Sequence, residues 1–224
     1  MTTLSLTPLR RLNGQGELWN LFAWFGRACD QAAGILLNPL VVAVFVRSVE
    51  RDPYRLSWLV VVFGLGWLLG AAISPYLQQI TDRAIPWIVG GYIVRTAAIV
   101  LMTYAATDRE SSADQRYTSI VICYCAYAIA TGISRSAQAH HIVRDATHHL
   151  REPRKALPVL GLALIFGITA LAMWSALSTA QMSWNQSFGR IWMLASVALG
   201  VATLAAIREG VDTPESPARP LHRE

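Results

Sequence analysis

Long apolar stretches alternate with short polar ones along almost the whole chain. Crossing the hydrocarbon core of a bilayer takes roughly 20 mostly apolar residues, and six stretches meet that length. They lie at about residues 18–46, 57–79, 87–106, 117–139, 157–180 and 189–207. The pattern predicts an all-α membrane protein with six transmembrane helices over residues 18–207. An N-terminal arm (1–17) precedes them, and a hydrophilic tail (208–224) that we expect to be disordered follows.

Polar residues gather on one face of the first and fourth predicted helices when residues are placed at 100° per step. The first helix groups Asn20, Arg27, Gln31, Gly34 and Asn38, with Asp30 beside them. The fourth groups Tyr124, Tyr127, Thr131, Ser134, Arg135 and Gln138. An ionisable group facing lipid at mid-depth costs at least about 2.5–3.5 kcal/mol, so such groups turn toward the protein interior or water. The two faces therefore predict a polar cavity between helices.

Charged residues inside the predicted helices are mostly basic. Arg27 and Asp30 are at i,i+3, close enough to pair on one helix. Arg95 and Arg135 fall in the same half of the bundle, and Asp30 offsets only one of the three arginines. This excess suggests an anionic ligand or an anionic partner side chain. The alternative is that these residues hold helices together, with Arg95 or Arg135 reaching toward the interface.

Composition supports a membrane protein, since 54% of the residues are hydrophobic and only 15% are charged. Soluble domains usually have about 25% charged residues. The net charge of +5 is better explained by topology than by nucleic-acid binding. Basic residues are more numerous in the N-terminal arm, the second and fourth loops and the tail, which predicts that both termini are cytoplasmic. The expected location is the inner or plasma membrane.

Small residues on the second predicted helix form a face that another helix could approach closely. They are Gly64, Gly66, Gly70 and Ala71.

No metal, cofactor or enzymatic site is predicted. The thiols of Cys123 and Cys125 point to different sides of a helix. A predicted loop over residues 140–156 separates His141 from His148, and a solvated, charged loop explains the histidines better than a metal site does. The sequence has no paired catalytic carboxylates, no nucleophile beside a base and no phosphate-binding loop. We therefore expect a protein that is not an enzyme.

Six helices, cytoplasmic termini and polar first and fourth helices resemble the N-terminal half of a major facilitator superfamily (MFS) transporter. Asp82-Arg83 resembles the core of that family's loop motif G-x-x-x-D-R-x-G-R-R. Gln78 stands where the first glycine belongs, and residues 85–86 replace the later Gly-Arg. Residues 151–161 resemble the R-x-R-A-x-x-x-G passage that opens the family's fifth helix. A second explanation of Asp82-Arg83 is a capped turn that ends a helix.

The resemblance implies a half-size secondary transporter that moves a small solute, with an anion favoured by the charge, through the bilayer by alternating access. A second six-helix half would come from another copy or a separate chain. Asp82 and Arg83 would belong to a cytoplasmic gate. The expected cavity residues are Arg27, Asp30, Gln31, Asn38, Arg95, Tyr127, Thr131 and Arg135. The alternative is a non-transporting six-helix scaffold or an inactive, truncated transporter.

Overall fold

Regular structure in the computed structural model is helical throughout the residues it describes, which are 14–47, 51–81, 84–108, 110–148 and 184–212. The helices in these ranges are α1 (Gly14–Leu36), α2 (Pro39–Val46), α3 (Pro53–Thr81), α4 (Ile85–Thr107), α5 (Ala113–His148) and α6 (Trp184–Asp212). The all-α class is thereby confirmed. The predicted span at 157–180, together with Asp82 and Arg83, lies outside the described residues.

Four of these helices, α3 to α6, are long and apolar enough to cross a membrane. Their outward faces carry large apolar side chains. On α3 alone these include Trp58, Leu65, Leu68, Leu69 and Ile73. Such continuous apolar surface is rare on soluble monomers and typical of lipid contact. The protein is therefore a multi-pass, membrane-embedded helical protein. The polar face of α1 lowers its mean hydropathy, and α1 is not among the four.

The first predicted span is broken into α1 and α2 at Pro39, where the missing N–H interrupts the helix. Asn38 caps the start of α2, because its side-chain oxygen accepts a hydrogen bond from the backbone N–H of Leu40 at 3.0 Å. The hydroxyl of Tyr124 on α5 donates to the carbonyl of Leu37 at 3.0 Å. The polar backbone groups that the break leaves are thus partly satisfied by side chains.

The starts of α3 and α5 meet at the end of the bundle opposite to the start of α4. Ser112 and Gln115 form a reciprocal capping box. The backbone N–H of Ser112 donates to the side-chain oxygen of Gln115 at 3.0 Å, and the backbone N–H of Gln115 donates to the hydroxyl of Ser112 at 3.3 Å. Arg55 at the start of α3 forms an ion pair with Asp114 at 2.5 Å. These contacts fix where α5 begins relative to α3.

Helix α5 is longer than the membrane requires. Its 36 residues span about 54 Å at the usual helical rise, against roughly 30 Å of hydrocarbon. The fourth span was predicted to end at residue 139, with a loop from residue 140, but α5 continues to His148. Hydropathy marks where a helix leaves the bilayer, and residues 140–148 contain no Gly or Pro to end it.

Helix α5 packs on both α3 and α4, α4 packs on α6, and α6 packs on α1. Helices α3 and α5 cross closely. A side chain added at Gly70 would collide with the backbone carbonyl of Ile129, and one added at Gly132 would collide with the backbone of Trp67. The predicted small-residue face is therefore a helix contact at Gly66, Gly70 and Ala71 but not at Gly64, where an added Cβ would meet nothing within 4 Å. Only glycine lets two backbones approach as closely as they do at Gly70.

Candidate functional site

A buried ion pair joins α1 to α4 near the middle of the bundle. The Nη1 group of Arg95 donates to Oδ1 of Asp30 at 2.6 Å. The side chain of Arg95 is 0% exposed and that of Asp30 is 3% exposed. Neither charge would be tolerated here alone, because an uncompensated buried charge costs several kcal/mol. The pair therefore fixes α1 against α4 at one register.

Aromatic rings surround the guanidinium of Arg95. Its central carbon lies 5.2 Å from the ring centre of Tyr127 and 5.5 Å from that of Tyr92, within cation–π range. Its Nη2 group donates to the hydroxyl of Tyr127 at 3.3 Å. Tyr127 stacks in turn on Tyr124 and Phe63, with ring centres 6.0 and 6.5 Å apart. These contacts hold the Arg95 cation in one orientation and link it to α3 and α5.

Helices α1 and α5 meet mainly through side chains, and we call this contact the α1–α5 seam. Its residues are Gln31 and Gly34 on α1, Leu37 directly after α1, and Tyr124 and Arg135 on α5. The Nη2 group of Arg135 donates to the side-chain oxygen of Gln31 at 3.3 Å. The guanidinium also lies over Gly34, where an added Cβ would be 2.9 Å from Nη2. The two backbones have little direct contact, so polar groups close the seam.

A small cleft lies beside the seam, toward the end of the bundle where α4 begins. Its walls are small residues of α1 and α6, isoleucines of α4, and the polar side chains of Arg27, Tyr92 and Gln138. The amide of Gln138 donates to the hydroxyl of Tyr92, which connects α5 to α4. The cleft volume of about 40 Å³ has room for a few water molecules. The cleft and the ion pair share Tyr92 as a common wall.

The structure brings five of the predicted cavity residues into connected contacts. They are Asp30, Arg95 and Tyr127 in the ion-pair network and Gln31 and Arg135 at the seam. Asp30 and Arg27 share a helix, yet the carboxylate of Asp30 reaches across to α4. Side chains on three helices thus form one polar region in the bundle.

The other predicted residues have different surroundings. Arg27 is exposed and lines the cleft. Asn38 is exposed and caps α2. Thr131 is buried, and its hydroxyl donates to the carbonyl of Tyr127 at 2.7 Å within its own helix. The two residues proposed for a cytoplasmic gate, Asp82 and Arg83, lie outside the described residues.

Tyr92 is the contact that the sequence analysis missed. It lies on α4, which has no polar stripe, so nothing drew attention to it. The available signal was its position three residues before Arg95, which puts both side chains on one helix face. Gln138 was placed in the polar stripe of the fourth span but not among the cavity residues.

Among the described residues, no group of three or more His, Cys, Asp and Glu side chains is arranged to hold a metal ion. The chain matches no protein-family model, no curated protein and no solved structure.

Proposed function

We propose that the protein is a half-size secondary transporter of the MFS type. It would move a small solute across the inner or plasma membrane by alternating access, together with a second six-helix unit. The observation that carries the proposal is the polar region formed by the Asp30–Arg95 pair, the α1–α5 seam and the adjoining cleft. Ionisable groups inside a membrane are expensive, and they commonly mark the path of a solute or ion.

The way the helices pack supports movement at the seam. Close apolar packing joins α3 to α5 and α1 to α6, whereas α1 meets α5 through hydrogen bonds such as Arg135 to Gln31. Hydrogen bonds to side chains can be exchanged for bonds to water or solute at small net cost. Opening at this seam would therefore expose polar groups and leave the apolar contacts intact.

Exposed polar side chains on α1 support the need for a second unit. Arg27, Gln31 and Asn38 are all exposed, and the first two lie well inside the predicted span. A lipid environment would penalise such groups, whereas a second six-helix unit could cover them with a shared aqueous cavity. That unit is either a second copy of the chain or a separate one. With both termini in the cytoplasm, the cleft lies on the cytoplasmic side.

A second candidate, a non-transporting membrane scaffold, is favoured by one observation. The carboxylate of Asp30 and the guanidinium of Arg95 are already paired with each other, and the cleft volume is only about 40 Å³. A pair of this kind could serve only to fix helix register. The two functions differ in whether the seam is hydrated.

Hydration of the seam is tested with single cysteines in proteoliposomes. Cys29, Cys123 and Cys125 are first replaced by alanine, and Gln31→Cys is then treated with a membrane-impermeant thiol reagent. Leu68→Cys is the matched control, since Leu68 is 58% exposed on the apolar face of α3. The transporter proposal expects reaction at position 31 and none at 68. If position 31 reacts no faster than position 68, the seam is not hydrated, and the non-transporting scaffold is the function that is left.

The second unit is tested by measuring the mass of the protein purified in lipid nanodiscs. We expect either two copies of the chain or one copy with a co-purifying membrane protein. The requirement for a second half would be contradicted if each disc held a single copy of the chain and position 31 at the seam still reacted with the impermeant reagent.

A further inference from the structure

Arg135 carries a positive charge that neutral groups hold in the part of the chain that the structure describes. Asp30 is the single carboxylate residue within the six predicted spans. Its side chain is 3% exposed, and its Oδ1 is bonded to Arg95. The Nη2 group of Arg135 donates instead to Gln31, a neutral amide, and its buried Nε–H has no acceptor among the described residues.

The guanidinium of Arg135 lies at mid-depth in the bundle and not at the membrane surface. Its acceptor Gln31 directly follows Asp30 on α1, about 1.5 Å further along the helix axis. Gly34 leaves room for it there, since an added Cβ would be 2.9 Å from Nη2. An arginine near a helix end can turn toward the headgroups, but this one is bonded at the level of the buried pair. Low-dielectric surroundings strengthen its attraction to any carboxylate that comes close.

The exposed face of α1 beside Arg135 is polar over a long distance. Arg27, Gln31 and Asn38 are exposed, and the first and last lie about 16 Å apart at the usual helical rise. Arg27 already has an interaction partner, so the charge in question is that of Arg135. Lipid penalises such a face, and a small solute would cover only part of it. Another protein surface fits it better.

A second copy of the chain is a poor occupant of this face. In a two-fold pair with its axis along the membrane normal, each copy presents the same residues at the same depth. The carboxylate of Asp30 is buried and bonded to Arg95, so neither copy offers an acid to the other. Two Arg135 side chains would meet without a counter-charge, and like charges brought together oppose association.

We propose that Arg135 docks against a carboxylate on a membrane helix of a separate chain, so that the second six-helix unit is not another copy of this protein. The chemistry that identifies the partner is an Asp or Glu inside its own span, at the depth of Gln31. A guanidinium–carboxylate pair is charge-assisted and can be bidentate. The inference rests on the proposed function, since it names the kind of chain that supplies the second half.

The probe for this contact is the chain itself with Arg135→Glu, which brings a carboxylate to the same depth. Donor- and acceptor-labelled chains are mixed in phosphatidylcholine vesicles, and Förster transfer is followed as the protein-to-lipid ratio falls. Wild type with wild type should show only the transfer of random encounters. Wild type with Arg135→Glu should associate at least about tenfold more tightly, because an ion pair forms across the interface.

Two controls separate this ion pair from a change of net charge. Arg135→Gln removes the guanidinium without adding an acid. Arg47→Glu makes the same change of charge as the probe does, at an exposed position at the end of α2 and away from the seam. Neither control should associate with the wild type more tightly than a second wild-type chain does.

Gln31→Glu is the sharper variant, because it gives Arg135 a carboxylate within its own chain at the group that already accepts its hydrogen bond. We expect this variant to melt at a higher temperature than the wild type. We also expect it to lose association with the Arg135→Glu chain, since its Arg135 is then paired internally. The melting temperature tests the missing counter-charge even if Arg135→Glu does not fold.

Four results would overturn the inference. Wild type associates with itself as tightly as with Arg135→Glu, or either control associates as tightly as the probe, or Gln31→Glu melts no higher than the wild type. The fourth is saturable binding of succinate to the wild type in calorimetry that Arg135→Gln abolishes, which would make Arg135 a solute site. Self-association of the wild type leaves a transporter built from two copies, whereas the proposed transporter itself fails only if position 31 does not label.

Discussion

Replacing Asp30 by Asn would isolate the charge of Arg95 in the middle of the bundle. The side chain of Arg95 is 0% exposed, and it loses the negative charge of the acceptor that lies 2.6 Å from it. Breaking a buried pair by removing one partner destabilises a protein by about 3–5 kcal/mol. Asn has nearly the same volume and keeps one oxygen acceptor, and the contacts of Arg95 with Tyr127 and Tyr92 exist in both proteins. We therefore expect a loss near the lower bound, about 3 kcal/mol.

The assay is equilibrium unfolding in mixed micelles with increasing sodium dodecyl sulfate, followed by the fluorescence of the 8 tryptophans. Arg95→Met keeps most of the side-chain length and removes the charge. The double variant Asp30→Asn with Arg95→Met leaves no unpaired charge, and it should be more stable than the sum of the single losses predicts. We expect a coupling free energy of about 2 kcal/mol or more from this cycle.

The exposed pair between Arg55 and Asp114 provides the control. The side chain of Asp114 is 77% exposed, so Asp114→Asn should cost no more than about 1 kcal/mol. A loss below about 1 kcal/mol for Asp30→Asn, or strict additivity in the cycle, would refute the claim that the buried pair fixes the bundle.

Three further results follow from the packing and the caps. Gly70→Leu should prevent the close approach of α3 and α5 and reduce the yield of folded protein, measured by size-exclusion chromatography. Gly64→Leu should leave that yield unchanged, and equal yields of the two variants would contradict the close crossing. Tyr124→Phe should cost about 1 kcal/mol in the same unfolding assay, since the carbonyl at the α1–α2 break loses its donor, and an unchanged midpoint would argue against that bond. The hydroxyl of Ser111 lowers the pKa of the Asp108 carboxyl, so this group adds stability above its ordinary pKa and loses it as the pH falls. Ser111→Ala should raise that pKa in an NMR titration, and no shift would rule out the hydroxyl as the cause.

The sequence was informative about which polar groups are inside the bundle and less so about which of them pair. One-dimensional periodicity put Asp30 beside Arg27 and gave the first and fourth spans polar faces. The count of charged residues in the predicted spans also showed that the one carboxylate could offset only one arginine. In the structure Asp30 pairs with Arg95, 65 residues away along the chain, because the long side chain of Arg95 on α4 reaches α1. That choice depends on the order in which helices pack, which no local pattern contains.

The ends of the helices and the aromatic contacts could not be predicted from the sequence, for a different reason. The membrane exit of α5 is visible in hydropathy, but the helix continues to His148 because residues 140–148 contain no Gly or Pro that would end it. Tyr92 resembles any other aromatic residue on an apolar helix until Arg95 is known to be buried beside it. The position of the break at Pro39 was predictable, since the loss of an N–H is a property of the residue itself.

The distance along the chain between Asp30 and Arg95 has a consequence for biosynthesis. The ribosome adds about 5–20 residues per second, so the 65 residues between the two take about 3–13 seconds to be made. During that interval Asp30 has been made but Arg95 has not, and the basic residue at hand is Arg27, three residues earlier on the same helix. We therefore expect Arg27 to be the temporary counter-ion of Asp30 until α4 has been synthesised.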